Sequence, residues 1–306
     1  MEAKWRWIAV TAIAPVAWGS TYFVTRQFLP ADVPLWGAVL RALPAGLILL
    51  LVARQRPRGD WWWKSLALGV LNVGAFFVLI YAASQLLPTS IASTVMATSA
   101  AVLLLLAWPL LGQRPGLFGI IGAAVGFAGV CVMLAQGGHG GSSAIEPLGI
   151  LVSLAAMLMS SVGFILTTRW AKEQRVLAVT SWQLVAGGLV VLPVAAALEG
   201  PPPALDPTAL LGFAYVTVIA TALAFLAWFT GLRHLPAGSV GLIGLLNPVT
   251  GVLLGTLIAG EAFGPQQAIG TALVLGGVLL GQRRRGGSGY GTVQGTLHPT
   301  DRNGAS

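Results

Sequence analysis

The sequence predicts an all-α integral membrane fold: ten transmembrane helices arranged as two inverted five-helix repeats, with both termini cytoplasmic. Three observations carry this expectation. Of the 306 residues, 56% are hydrophobic and only 8% are charged, about a third of the charged share of an ordinary soluble domain. Ten apolar runs reach the roughly 20 residues that a bilayer span needs. The second half also repeats the first: Pro88, Gly112, Gly122 and Gly129 recur 148 residues later as Pro236, Gly260, Gly270 and Gly277. Phe77 recurs as Phe225, and Leu105-Leu106 as Leu253-Leu254. Five spans per repeat is an odd number, so the halves cross the membrane in opposite senses.

The runs lie near 7–29, 33–53, 66–86, 89–111, 116–135, 147–169, 177–198, 208–233, 237–259 and 264–282. The first follows a short basic stretch, Met1 to Arg6, as a cleaved leader would. It spans about 22 residues and contains Trp18, Tyr22 and Phe23, so it is expected to stay as a span. Short connections carry turn residues: Leu29-Pro30, Leu87-Pro88, Gln113-Arg114-Pro115 and Leu235-Pro236. The Gly/Ser-rich stretch 137–146 joins the halves on the outside, and 199–207 contains Pro201-Pro202-Pro203. The expected organisation is a first repeat over 1–136, the linker 137–146, a second repeat over 147–282, and a polar, disordered cytoplasmic tail over 283–306. The early spans correspond less tightly: Arg26 pairs with Arg169 at 143 residues, and Arg41 with Gln183 at 142.

Charge placement orients the chain. With a cytoplasmic N-terminus, 15 of the 17 Lys and Arg fall inside, and the other two, Arg26 and Arg41, fall within spans. The net charge of +8 is thereby explained as topology, with the bilayer as partner and no nucleic acid. Trp5, Trp7, Trp61, Trp62, Trp63, Trp108 and Trp170 cluster at the proposed inner interface, and Trp36 marks the outer one. The lone Cys131 excludes a disulfide framework and a thiolate metal cluster. No metal or cofactor is expected.

Several short motifs sit in this frame. They are Trp18-Gly19-Ser20-Thr21 in span 1 and Arg41 before an Ala- and Leu-rich run in span 2. Gly112-Gln113-Arg114-Pro115 follows span 4, Gly260-Glu261 follows span 9, and Trp182-Gln183-Leu184 lies in span 7. Over residues 7–282 the arrangement resembles the EamA-type transporters of the drug/metabolite transporter superfamily. Gln113 stands where that pattern has an acidic residue. The resemblance implies export of amino acids or other small metabolites across the cytoplasmic (inner) membrane of a bacterium.

A carrier needs a polar site near the bilayer midplane, between the repeats. Ser99 at the centre of span 4 maps onto Asn247 at the centre of span 9, with Thr94 and Thr98 nearby. Pro248 lacks an N–H and frees the carbonyl of Gly244. Arg41 costs about 2.5–3.5 kcal/mol within a span, so it either attracts a substrate carboxylate or bonds carbonyls to fix helix packing. Gln183 is its mate. Trp18, Tyr22, Phe76, Phe77, Tyr81, Phe225 and Trp228 offer rigid aromatic walls. Ser20, Asn72 and Thr221, with Gln85, Ser160, Ser161 and Gly163, complete the polar set. The predicted substrate site is therefore Trp18, Ser20, Tyr22, Arg41, Asn72, Phe76, Tyr81, Thr94, Ser99, Gln183, Thr221, Trp228 and Asn247. Such a set suits neutral or zwitterionic small molecules. The glycine-rich, apolar spans 5 and 10 are expected to pack helices or to form a homodimer.

All nine Asp and Glu lie in loops, tails or helix ends, and no histidine sits at a span centre. A buried carboxylate proton relay is therefore not expected, with Glu261 the one exception in reach. Two other classes lack their sequence signatures. An intramembrane lipid-modifying enzyme needs an acidic metal cluster, or a nucleophile beside a base, and neither pattern is present. A membrane sensor or scaffold of the same fold would lack a cytoplasmic domain to receive its signal. The sequence reading is a non-enzymatic secondary transporter working by alternating access.

Overall fold

In the computed structural model the described residues are 2–99, 102, 106, 109–110, 117–134, 146–234, 243–244, 246–261 and 263–281. They are helical with short connections, and no strand occurs among them. Trp108, the Gly112-Gln113-Arg114-Pro115 turn, most of the 137–146 linker, Leu235-Pro236 and the tail lie outside the described residues.

The helices are α1 (Glu2–Phe28), α2 (Pro34–Ala53), α3 (Trp61–Leu86), α4 (Thr89–Ala97), α5 (Leu117–Leu134), α6 (Pro147–Trp170) and α7 (Val176–Leu198). Next come α8, made of Pro207–Ala214, Tyr215–Leu223 and Ala224–His234, then α9 (Leu246–Ile258) and α10 (Pro265–Gly281). Six of them, α1 to α3 and α6 to α8, are long and apolar enough to cross a membrane. The chain is a multi-pass membrane protein. Its outer faces carry exposed Leu, Ile and Val, such as Leu51, Leu151, Leu198 and Leu211, as lipid-facing helices do.

Three helices contain π-helical stretches: Val70–Gly74 in α3, Tyr215–Leu223 in α8 and Leu254–Ile258 in α9. A π turn shifts the backbone pairing by one residue and bulges the helix, often beside a functional site. The stretches in α3 and α8 occupy matching positions, because Val70 and Gly74 map at 148 residues onto Val218 and Ala222.

Helix contacts come in pairs that exchange the two halves. α1 packs on α8, and their counterparts α6 and α3 pack on each other. α2 packs on α7, α4 on α9, and α5 on α10. The close approaches repeat in the same way. A β carbon on Gly46 would fall 2.8 Å from Val185 N, and one on Gly188 would fall 3.2 Å from Leu43 N. Gly46 and Gly188, like Leu43 and Val185, are 142 residues apart. Small residues let these backbones meet where lipid supplies no hydrophobic drive.

Two glutamates hold helix starts from a distance. Glu199, at the end of α7, accepts the backbone N–H groups of Leu35 and Trp36, both at 2.8 Å. Glu261, after α9, accepts those of Thr89 and Ser90 and the Ser90 hydroxyl. The first turn of a helix leaves N–H groups unpaired and favours negative charge, so each carboxylate stabilises a helix that is remote in sequence. Trp36, in the first turn of α2, is buried, and its Nε1 donates to Gly200 O at 3.1 Å. The positive φ of 77° at Gly200 turns the chain into that contact. Glu199→Ala is expected to lower stability by about 1–3 kcal/mol, since two N–H groups lose a charged acceptor. Thermal unfolding in detergent beside the exposed Glu173→Ala control measures it, and equal midpoints would contradict the cap.

Candidate functional site

Arg41 lies in the middle of α2 among small buried neighbours, Ala38, Ala42 and Ala45, and is itself 7% exposed. Its Nε donates to Thr221 Oγ1 at 2.7 Å, and its Nη2 to Ala220 O at 3.2 Å. Both partners belong to the π stretch of α8. Thr221 in turn donates to Val216 O, five residues back, at 2.7 Å. The guanidinium carbon sits 4.1 Å from the Phe77 ring centroid, a cation–π contact worth most when desolvated. Among the described residues no carboxylate pairs with Arg41. Arg41 thus bonds a carbonyl, as packing would ask, and its charge has no acidic partner among the described residues, as a substrate carboxylate would need.

Aromatic rings continue from this guanidinium. Phe77 meets Phe225 at 6.5 Å between centroids, Phe225 meets Trp18 at 5.6 Å, and Trp18 meets Trp228 at 5.2 Å. Phe76 packs beside Phe77 at 5.8 Å. Phe77 and Phe225 are buried, whereas Trp18 and Trp228 are half-buried. Neither indole N–H has a protein acceptor among the described residues. The chain therefore brings together a buried cation, a flat apolar wall and two indole donors without an acceptor among the described residues.

The other half mirrors this junction with neutral groups. Gln183, fully buried on α7, accepts from Asn72 Nδ2 at 2.9 Å, and Asn72 lies in the π stretch of α3. Asn72 Nδ2 also reaches Thr167 Oγ1 at 3.2 Å, and Thr167 donates to Gly163 O at 2.8 Å. Asn72 Oδ1 and Gln183 Nε2 are buried and have no partners among the described residues. Gly163 makes room for this amide: a β carbon there would overlap Asn72 Oδ1.

The remaining predicted residues divide. Ser20 hydroxyl shares a 2.6 Å hydrogen bond with Tyr215 Oη, tying α1 to the π stretch of α8. Tyr22 is buried in one apolar cluster with Ile80, against which Phe76 packs. Tyr81 Oη donates to Pro30 O, and Thr94 donates to Ser90 O of its own helix at 2.7 Å. Both hydroxyls are committed to backbone. Ser99 is half-buried. Asn247 sits on α9 with its carbonyl against Gly19 of α1, and its buried Oδ1 has no partner among the described residues. Arg26 is exposed near the end of α1. A groove of about 270 Å³ between α3 and α7 is lined by Val70, Ala75, Val78, Val190 and Val194 among others and is apolar throughout. It lacks the polar groups that a metabolite needs.

Thr167 and Tyr215 were not among the predicted residues. Thr167 lies four residues after Gly163, on the helix face already carrying Ser160 and Gly163, so periodicity offered a signal. Tyr215 sits in an apolar run and had none.

Comparison with known proteins gives one consistent result. The model of the EamA-like transporter family matches residues 5–135 and 147–281. Protein PecM of Dickeya dadantii (strain 3937) is 35% identical over 271 residues, covering 88% of this chain and 90% of that protein. The inner membrane transporter YedA of Escherichia coli (strain K12) is 28% identical over 273 residues, 87% of each chain. A solved crystal structure shares the fold at a TM-score of 0.62 and 21% identity, covering 90% of this chain and 96% of that one.

Proposed function

Because the chain belongs to the EamA-like transporter family, we propose that this membrane transporter exports small neutral or zwitterionic metabolites, amino acids among them, across the inner membrane of a bacterium. It works as ten spans in two inverted five-helix halves, 1–136 and 147–282, with both termini cytoplasmic. Alternating access is a rocking of one half on the other about the mated pairs α2–α7 and α5–α10.

One observation carries the substrate class: Arg41 is buried and charged, and among the described residues it has no carboxylate partner. An intramembrane cation is costly, and a substrate carboxylate offsets that cost while bound. Trp18 and Trp228 flank an apolar side chain and offer indole donors. The orphaned Asn247 Oδ1 and the Ser99 hydroxyl accept from a substrate ammonium without a fixed charge. With no acidic residue in this set, movement follows the substrate gradient and involves no proton relay.

Proteoliposomes holding the full chain test the reading with a panel of amino acids and related metabolites. Zwitterions are expected to be carried, and an uncoupler of the proton gradient to leave flux unchanged. Asn247→Ala and Ser99→Ala are each expected to lower flux at subsaturating substrate by about tenfold, the loss of one hydrogen bond to a charged group. Variants that transport like the parent, or flux that stops with the uncoupler, would refute the site or the coupling respectively.

A further inference from the structure

We propose that the end of the bundle where α2 and α6 finish and α3 and α7 begin is a binding surface for anionic phospholipid headgroups. Three chain segments meet there, and side chains tie them together. Trp182 Nε1 of α7 donates to Gln55 O in the α2–α3 connection at 2.8 Å. Trp61 of α3 packs on Trp182 at 5.5 Å, and Trp63 meets Trp170 at the end of α6 edge-on at 5.1 Å.

These ties bring the stretches 54–64 and 169–175 together, and with them Arg54, Arg56, Arg58, Lys64, Arg169, Lys172 and Arg175; Asp60 and Glu173 are the acidic residues of those two stretches. Asp60 pairs with Lys64 at 3.4 Å. The other six cations are exposed and have no carboxylate partner among the described residues. Arg54 caps α2 in the left-handed conformation, φ 50°, where glycine costs less.

The patch is layered as a headgroup region is. Trp62 and Trp63 are 64% and 52% exposed beside the cations, at the level where indoles meet glycerol and carbonyl groups. Lys64 Nζ lies 5.8 Å from the Trp61 ring and 5.7 Å from the Trp63 ring. One turn towards the bundle centre, Leu51, Val52 and Leu66 are exposed and match acyl chains. A soluble phosphate would use the cations alone. A phospholipid uses all three layers, and its planar array matches cations spread over loops without a cavity.

The test places the full chain in nanodiscs of phosphatidylcholine with graded phosphatidylglycerol and counts retained lipids by native mass spectrometry. Phosphatidylglycerol is expected to be retained in preference, and the triple change Arg54→Gln, Arg56→Gln, Arg58→Gln to cut the preference by about fivefold per arginine removed. A second readout needs no cation variant. Brominated phosphatidylglycerol is expected to quench the parent's fluorescence more than brominated phosphatidylcholine, and Trp62→Phe with Trp63→Phe to remove the difference. Equal retention of the two lipids, equal quenching, or a preference unchanged by the triple substitution would overturn the proposal.

Discussion

Arg41→Gln is expected to reduce substrate flux in proteoliposomes by roughly ten- to a hundredfold, the loss of hydrogen bonds from a charged donor, while the protein stays folded. Arg41 is buried with no acidic partner among the described residues. If its only role were to bond Ala220 O, losing it would cost stability and transport together. If it serves a substrate carboxylate, stability is kept or raised, because an unpaired buried charge has been removed. The other half shows that the frame accepts the substitution, since Gln183 occupies the corresponding place and bonds Asn72 at 2.9 Å. Arg41→Lys is a sharper probe. It keeps the charge but loses the fork that reaches Thr221 and Ala220 at once, so its flux should fall between parent and glutamine. The loss should appear in apparent affinity for carboxylate-bearing substrates and be small for those lacking one. A thermal midpoint falling in step with flux would return Arg41 to a packing role.

The sequence made the frame legible because membrane packing writes small residues at fixed spacings. The offset of 148 reappears as contacts between α5 and α10, and the offset of 142 as contacts between α2 and α7. Arg41 was legible as a candidate because charge is rare in an apolar run. Its partners were not. Thr221 and Ala220 become available through a π stretch, and no residue propensity marks such a stretch. Asn72 and Gln183 were both singled out, yet their pairing across 111 positions has no local signature. Thr94 and Tyr81 looked free in sequence because a hydroxyl does not reveal that it bonds a carbonyl. Glu199 and Glu261 read as loop acids and act as caps for helices that begin far away in the chain. Long-range polar pairing is decided by helix rotation, which periodicity constrains only coarsely.

Gly277→Ala and Gly129→Ala are expected to destabilise the protein by about 1–3 kcal/mol each, the usual cost of overpacking a filled contact, and by similar amounts. A β carbon on Gly129 would fall 2.6 Å from Gly270 O and 2.8 Å from Val274 N. One on Gly277 would fall 2.5 Å from Gly122 O and 2.6 Å from Gly126 N. Gly270 is the counterpart of Gly122, and Val274 of Gly126, at 148 residues, so each clash is the image of the other. The obstructing atoms are backbone and cannot swing aside as a side chain would, so α5 and α10 must separate along their whole contact. Gly276 is the internal control. It neighbours Gly277 on α10, and a β carbon there meets nothing within 4 Å. Gly276→Ala should be neutral or slightly stabilising, because alanine is the better helix former. Thermal unfolding of the three variants decides the matter. Equal stability of Gly276→Ala and Gly277→Ala would mean that α5 and α10 do not pack backbone to backbone. Unequal losses at Gly129 and Gly277 would mean that the two halves share a sequence pattern without sharing the contact it predicts.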